Sequence, residues 1–305
     1  MEPRVLRPAR RRRETCLAAA LVLLAGAAGA DSPGQALLFR EPGSIEQRVE
    51  RLAASLSDEQ LLGQVFMLGY VGTSPSPEIM RWIRERNLGG VKIFTRNVDS
   101  LEGLARSVAQ MQAAAAASGS GIPLFISTDQ EGGWVRHIKG ETSTSAGNIA
   151  LGATGLPQDA LLTGYYIGQE LRALGINMNF APTIDVYSNP AASVIGPRAF
   201  SSDPAQTALL ALAYYRGLQR SGVISTAKHY PGHGGADQDS HGALPVIASD
   251  FTQLWERDLL PYRILVREGI PAVMSGHLAF PAVLGNLLRG AGAGGLSGIP
   301  ERRGR

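Results

Sequence analysis

Residues 223–245 read V-I-S-T-A-K-H-Y-P-G-H-G-G-A-D-Q-D-S-H-G-A-L-P. The opening five residues are a strand-type run, and it gives way at Lys228 to a loop built on Gly and Pro. From Lys228 onward the stretch holds three of the chain's five histidines and two aspartates. Histidine titrates nearest neutrality, and a neighbouring carboxylate fixes its tautomer and tunes its basicity. The other two histidines, His137 and His277, also come soon after short apolar runs. Titratable groups gathered at strand ends point to a reaction centre.

The same pattern repeats along the chain. Strand-like runs occur at 65–68, 91–94, 124–127, 177–180, 223–227 and 272–275, with helical patterns at 77–86, 101–117, 159–174, 204–220 and 250–267. Asp159 and Asp203 stand at expected helix starts, Gly175 and Gly222 at expected stops. Such alternation predicts a parallel sheet covered by helices. No glycine-rich phosphate fingerprint follows the first strand, which counts against a dinucleotide fold. The polar signatures come after strands: Asp129-Gln130-Glu131-Gly132-Gly133, Ala181-Pro182-Thr183-Ile184-Asp185, Lys228-His229 and Gly276-His277. Chemistry at successive strand ends is what a (β/α)8 barrel produces. The expectation is an α/β, TIM-type barrel over residues 31–284 with about six of its eight strand–helix units, stopping before strands seven and eight. Residues 285–305, rich in Gly and Arg, are expected to be an unstructured tail.

Charge is unevenly placed. The chain carries +3, but six arginines against Glu2 and Glu14 give residues 1–30 a charge of +4, leaving the remainder at −1. Arg289, Arg302, Arg303 and Arg305 against Glu301 take a further +3, so residues 31–285 stand at −4. Nothing basic is left on the body to track phosphates, so nucleic acid is not an expected partner. The arginines at 4, 7 and 10–13, the apolar stretch 16–28 and Ala28-Gly29-Ala30 form the pattern of a cleavable export leader. The expected mature protein starts near Asp31, outside the cytoplasm, in the periplasm or beyond it, with no membrane insertion once the leader is removed. An uncleaved membrane anchor is the alternative. The single cysteine, Cys16, excludes an intrachain disulfide and a Cys-based zinc site.

Asp239 and His241 are one residue apart, so in an extended loop their side chains share a side. A carboxylate bonded to imidazole makes a general acid/base for neutral pH. Asp129, Arg198 and Lys228 supply hydrogen bonds of both polarities, the mixture that sugar hydroxyls or carboxylates require. A hydrolytic zinc centre on His229, His233, Asp237, Asp239 and His241 is the competing chemistry. Pro231 and Gly232 stand between the first two histidines and keep them off a shared helix face.

Several motifs in order carry a resemblance: Gly90-Val91-Lys92-Ile93-Phe94-Thr95-Arg96-Asn97, the Asp-Gln-Glu-Gly-Gly block, residues 181–190, Ile195-Gly196-Pro197-Arg198-Ala199-Phe200, residues 228–245 and residues 274–281. From about Leu61 to Pro281 the chain resembles the β-N-acetylglucosaminidase branch of glycoside hydrolase family 3. The resemblance implies that His241 is the acid/base and Asp239 its dyad partner. It places Asp129, Arg198, Lys228 and His229 where the non-reducing-end N-acetylglucosamine (GlcNAc) is held. It further implies release of GlcNAc from peptidoglycan fragments (muropeptides) or chitooligosaccharides, with retention and without a metal or other cofactor. Two departures stand out. The family's arginine eight positions after Asp129 is here His137, with Arg136 one place earlier, so either residue is a candidate sugar donor. The family's nucleophile, an aspartate in a Ser/Thr-Asp-Asp-Leu motif on the following strand, has no counterpart: after Glu268 the only acidic residue is Glu301. A non-catalytic sugar-binding protein or a truncated product is therefore the alternative reading.

Other residues carry narrower expectations. Asp185 braces the fourth strand's loop, and His233 shapes the histidine loop through its backbone. His277 lines or fills the pocket. Trp134 forms a wall against the sugar, and Glu131 has a structural role beside its glycines. Gln130 is unassigned.

Overall fold

The structure, a computed structural model, describes residues 42–236 and 244–283. Two short helices lead in, α1 (Ile45–Ser55) and α2 (Asp58–Gln64). Each starts with a capping box: Ser44 accepts from the Gln47 amide while Gln47 bonds back to Ser44, and Ser57 with Gln60 repeats the exchange. Then come β1 (Met67–Gly69), α3 (Pro77–Arg86), β2 (Gly90–Lys92), α4 (Leu101–Ala116) and β3 (Phe125–Thr128). A small hairpin follows, β4 (Gln130–Gly132) and β5 (Val135–Arg136), and after it α5 (Asn148–Thr154), α6 (Pro157–Ala173) and β6 (Met178–Asn179). The remainder is α7 (Pro204–Arg220), β7 (Ile224–Tyr230), α8 (Phe251–Gln253), a π-helical stretch Leu254–Asp258, α9 (Leu259–Arg267) and β8 (Ala272–Ser275).

Six strands pair in the order β1-β2-β3-β6-β7-β8, all parallel. Helical segments intervene between successive strands, as in a (β/α)8 barrel, and the sheet curls as part of one. The expected fold class stands. A strand covered on both sides reads as a continuous apolar run because both of its faces are buried. Val91, Ile93 and Ile126 are accordingly fully buried, packed in one core with Leu104, Met111, Leu171 and Leu218 from the helices. α6 and α7 approach until only glycine fits between them. A β-carbon on Gly164 would stand 2.2 Å from the Tyr214 carbonyl oxygen, and one on Gly217 2.1 Å from that of Leu161.

Local signals explain most boundaries. Asp203 caps α7 as expected, its Oδ1 accepting from the amides of Ala205 and Gln206 at 2.7 and 2.9 Å. Gly175 and Gly222 take left-handed φ of 79° and 77° just beyond their helices. Asp159 is a correction: α6 starts at Pro157, so Asp159 lies in its first turn and caps nothing. The strand expected at 65–68 starts later, because Val65 closes α2. The leader and the tail from 285 lie outside the described residues.

Candidate active site

The C-terminal ends of the parallel strands bring the polar signatures to one place. A cavity of about 420 Å³ opens there, within the ~300–1,000 Å³ range of small-ligand sites. Lys92, Asp129, His137, Arg198, Lys228, His229, His233 and His277 line it, with Val135, Val194 and Met274 among its apolar surface. All five residues expected to hold sugar, Asp129, His137, Arg198, Lys228 and His229, therefore converge. Asp239 and His241, the expected dyad, lie outside the described residues, as does Asp237.

A buried charge network forms the floor. Glu131 on β4 is almost wholly enclosed, and the Arg198 fork grips it at 3.0 and 2.8 Å. Lys228 Nζ reaches both Glu131 Oε1 at 2.5 Å and Asp129 Oδ1 at 2.6 Å. Burial alone would raise the Glu131 carboxyl, but Lys228 and then Arg198 hold it below the usual range. Asp129 behaves alike: burial pushes it up, and Lys228, His137 and Lys92 together hold it well below an ordinary aspartate. Arg198 is correspondingly raised, Glu131 outweighing the cost of burial.

The histidine side has its own brace. Asp185 is fully buried; its Oδ2 accepts from His229 Nδ1 at 2.7 Å, and its Oδ1 accepts the backbone amides of His229 and His233 at 3.2 and 2.7 Å. With Nδ1 donating, the His229 Nε2 lone pair faces the cavity and an Arg198 Nη2 at 3.4 Å. Burial would raise the Asp185 carboxyl, yet His229 and these hydrogen bonds hold it low. Asp185 thus braces the histidine loop after β7, a different loop from the fourth strand's own, which was the expectation. The His233 backbone is held by Asp185 and in turn accepts from the Ala236 amide at 3.1 Å. Its ring lies edge-on to His229, with burial lowering its pKa from the ordinary 6.5.

The two candidate donors, Arg136 and His137, point in different directions. Arg136 turns away to the Ser143 carbonyl and Thr144 hydroxyl at 3.2 and 2.8 Å, whereas His137 faces the cavity. Its Nε2 points at Asp129 Oδ2 from 3.5 Å and its Nδ1 meets Thr95 Oγ1 at 3.0 Å. Trp134 is a correction. It stands 75% exposed and does not line the cavity, because the turn at Gly132 and Gly133 directs it outward. Gln130 gains a role: its side chain clamps the Ile138 backbone at 3.0 and 2.9 Å and closes the hairpin. His277 lines the cavity.

Sequence reasoning missed Lys92 and undervalued Glu131. Lys92, at the end of β2, pairs with Asp129 Oδ2. A lysine inside the run Gly90–Phe94 was a readable signal, because a charge on a buried strand requires a partner. Among the described residues no three metal-ligating side chains gather as a cation site.

The low carboxyls fix how the protein responds to acid. Asp129, Glu131 and Asp185 have folded pKa values below their unfolded ones, so their contribution is fully present above about pH 4 and lost as pH falls below it. The lowered His233 acts in the same sense from 6.5 downward. Buried Asp258 is raised and opposes this, contributing below an ordinary carboxyl's pKa and losing its contribution as pH rises through its folded value. Urea midpoints measured against pH are expected to slip gently below 6.5 and collapse below 4. A midpoint constant down to pH 3 would show that the network adds nothing.

Residues 58–293 match the glycosyl hydrolase family 3 N-terminal domain. β-Hexosaminidase A of Pseudoalteromonas piscicida is 39% identical over 249 residues, 75% of this chain and 42% of that protein. A glycoside hydrolase family 3 β-N-acetylglucosaminidase from Paenibacillus sp. str. FPU-7 aligns with a TM-score of 0.73 and 40% sequence identity, covering 75% of this chain and 43% of that one. NagZ from Neisseria gonorrhoeae, solved in complex with N-trifluoroacetyl-D-glucosamine, aligns with a TM-score of 0.65 and 32% identity over 71% of this chain and 64% of that one. A fold with its polar residues at the strand ends, matched over most of its length, assigns the chain to glycosyl hydrolase family 3. It spans about half the length of the curated relatives it matches.

Proposed function

We propose that these residues form the sugar-holding part of an exported exo-β-N-acetylglucosaminidase. The observation that carries this reading is the convergence on one cavity of Asp129 after β3, His137 after the hairpin, Arg198 on the turn at 196–198, and Lys228 and His229 on β7. Carboxylate, guanidinium, ammonium and imidazole together offer donors and acceptors to a ring of hydroxyls. The relatives' names as β-hexosaminidases and the N-trifluoroacetyl-D-glucosamine held by gonococcal NagZ support a terminal GlcNAc as the group bound. The wider substrate is a peptidoglycan fragment or chitooligosaccharide.

In a retaining mechanism a carboxylate attacks the anomeric carbon while an acid protonates the leaving oxygen, and the same group then activates water. His241, oriented by Asp239, takes the acid/base role. The resemblance supplies no residue of this sequence as the attacking carboxylate, and none is assigned to that role. A non-catalytic sugar-binding protein is the reading that this same feature favours second.

Isothermal titration tests the proposal. GlcNAc is expected to bind saturably, and glucose, which lacks the acetamido group, much more weakly. Equal binding of both sugars would contradict a GlcNAc site. Export is tested apart from this by N-terminal sequencing of protein recovered from a cell-envelope or periplasmic fraction, which is expected to start near Asp31. Soluble cytoplasmic protein still carrying Met1 would refute it.

A further inference from the structure

Lys92 has no place in the site as the sequence reading drew it, yet it lines the cavity. Its strand neighbours Val91 and Ile93 are fully buried, and β2 pairs it in register with Ser127 on β3, two residues before Asp129. The side chain runs inward and ends on Asp129 Oδ2, where the ammonium also lies 4.9 and 4.6 Å from the ring centroids of Phe94 and Phe180. Two aromatic faces and one carboxylate leave the cation a single favourable position. Burial lowers its pKa, and Asp129 works against that shift.

The two oxygens of Asp129 are thereby held by two different strands. Lys228 from β7 takes Oδ1 at 2.6 Å and Lys92 from β2 takes Oδ2. One cation leaves a carboxylate free to rotate about its last torsion; a second, on the other oxygen, fixes its plane. His137 approaches the same Oδ2 from 3.5 Å and adds to the restraint. A carboxylate that accepts two neighbouring hydroxyls must be held to a fraction of an ångström, by groups that are themselves packed in place. At 15% exposure the Lys92 side chain is far enough inside to be packed, while still lining the cavity.

We propose that Lys92 is a positioning residue for sugar recognition: it locks the Asp129 carboxylate in the plane that receives the hydroxyls of the terminal sugar. The proposal rests on the GlcNAc-binding reading above and adds to it a residue that acts through Asp129 and needs no contact with the sugar.

The test is a thermodynamic cycle in GlcNAc affinity on the full chain, with Lys92→Met, Asp129→Asn and the double variant, and with urea midpoints measured alongside. Lys92→Met is expected to weaken GlcNAc binding about tenfold in the native background and less than about twofold beside Asp129→Asn, because residues acting as one unit are not additive. A residue of merely structural importance would lower the urea midpoint and leave affinity alone. That result, or equal losses in both backgrounds, overturns the proposal. If Asp129→Asn does not fold, Lys92→Arg replaces it: affinity restored above that of Lys92→Met supports the proposal, and affinity as weak as Lys92→Met overturns it. Should the native chain bind no GlcNAc, the reading of the site fails and this proposal fails with it; native binding that Lys92→Met leaves unchanged overturns the proposal alone.

Discussion

Lys228→Met is expected to cost about 3–5 kcal/mol of unfolding free energy, the range for removing one partner from a buried ion pair. Lys228 is 1% exposed and serves Glu131 and Asp129 at once. Removing it leaves the Glu131 carboxylate with Arg198 alone and Asp129 with one cation fewer, in surroundings where burial already works against both charges. Against a total stability of about 5–15 kcal/mol for a typical protein, that is a large fraction. Chemical denaturation at pH 7 measures it. A loss below about 1 kcal/mol, the value of an exposed pair, would mean that water reaches the network and that its charges are solvated.

The second large effect is on turnover. A polypeptide of these 305 residues alone is expected to hydrolyse a chromogenic β-N-acetylglucosaminide at no more than ~10⁻³ s⁻¹, against the ~10 s⁻¹ typical of enzymes, since catalysis without a nucleophile is ~10⁴–10⁶ slower. Retaining hydrolysis needs a carboxylate across the anomeric carbon from the acid/base. Among the described residues lining the cavity the carboxylate is Asp129, and it is already committed to Lys92, Lys228 and His137. After Glu268 the sequence offers only Glu301. Turnover within about tenfold of the typical rate, abolished by Glu301→Gln, would show that Glu301 supplies the nucleophile.

Much of this was legible in the chain, and the illegible parts share a cause. The helices Pro77–Arg86 and Pro204–Arg220 and the strand Ala272–Ser275 coincide with their expected bounds because each starts or stops on a strong local signal. Pro after a capping Ser76 or Asp203 is such a signal. The capping boxes at Ser44 and Ser57 were equally readable and were passed over. The hairpin was not, because β4 and β5 are two or three residues each and offer no period to count. Missing it hid the role of Glu131: in a loop it is one polar residue among several, and only on β4 does it turn inward to meet Arg198 and Lys228. Trp134 was misjudged for the same reason, its direction being set by the two glycines of that turn. Asp129, Lys228 and His229 were found because they stand at the ends of apolar strands, which a parallel sheet brings together wherever they lie in sequence; Arg198, on a turn at 196–198, was found only through the motif Ile195–Phe200.

A crystal of the chain soaked in GlcNAc tests the site most directly. The sugar is expected in the cavity with its ring hydroxyls at hydrogen-bond distance, about 2.6–3.2 Å, from the Asp129 carboxylate and from Lys228 or Arg198. An empty cavity at saturating sugar, or a sugar seated where it touches none of these three residues, would contradict the account.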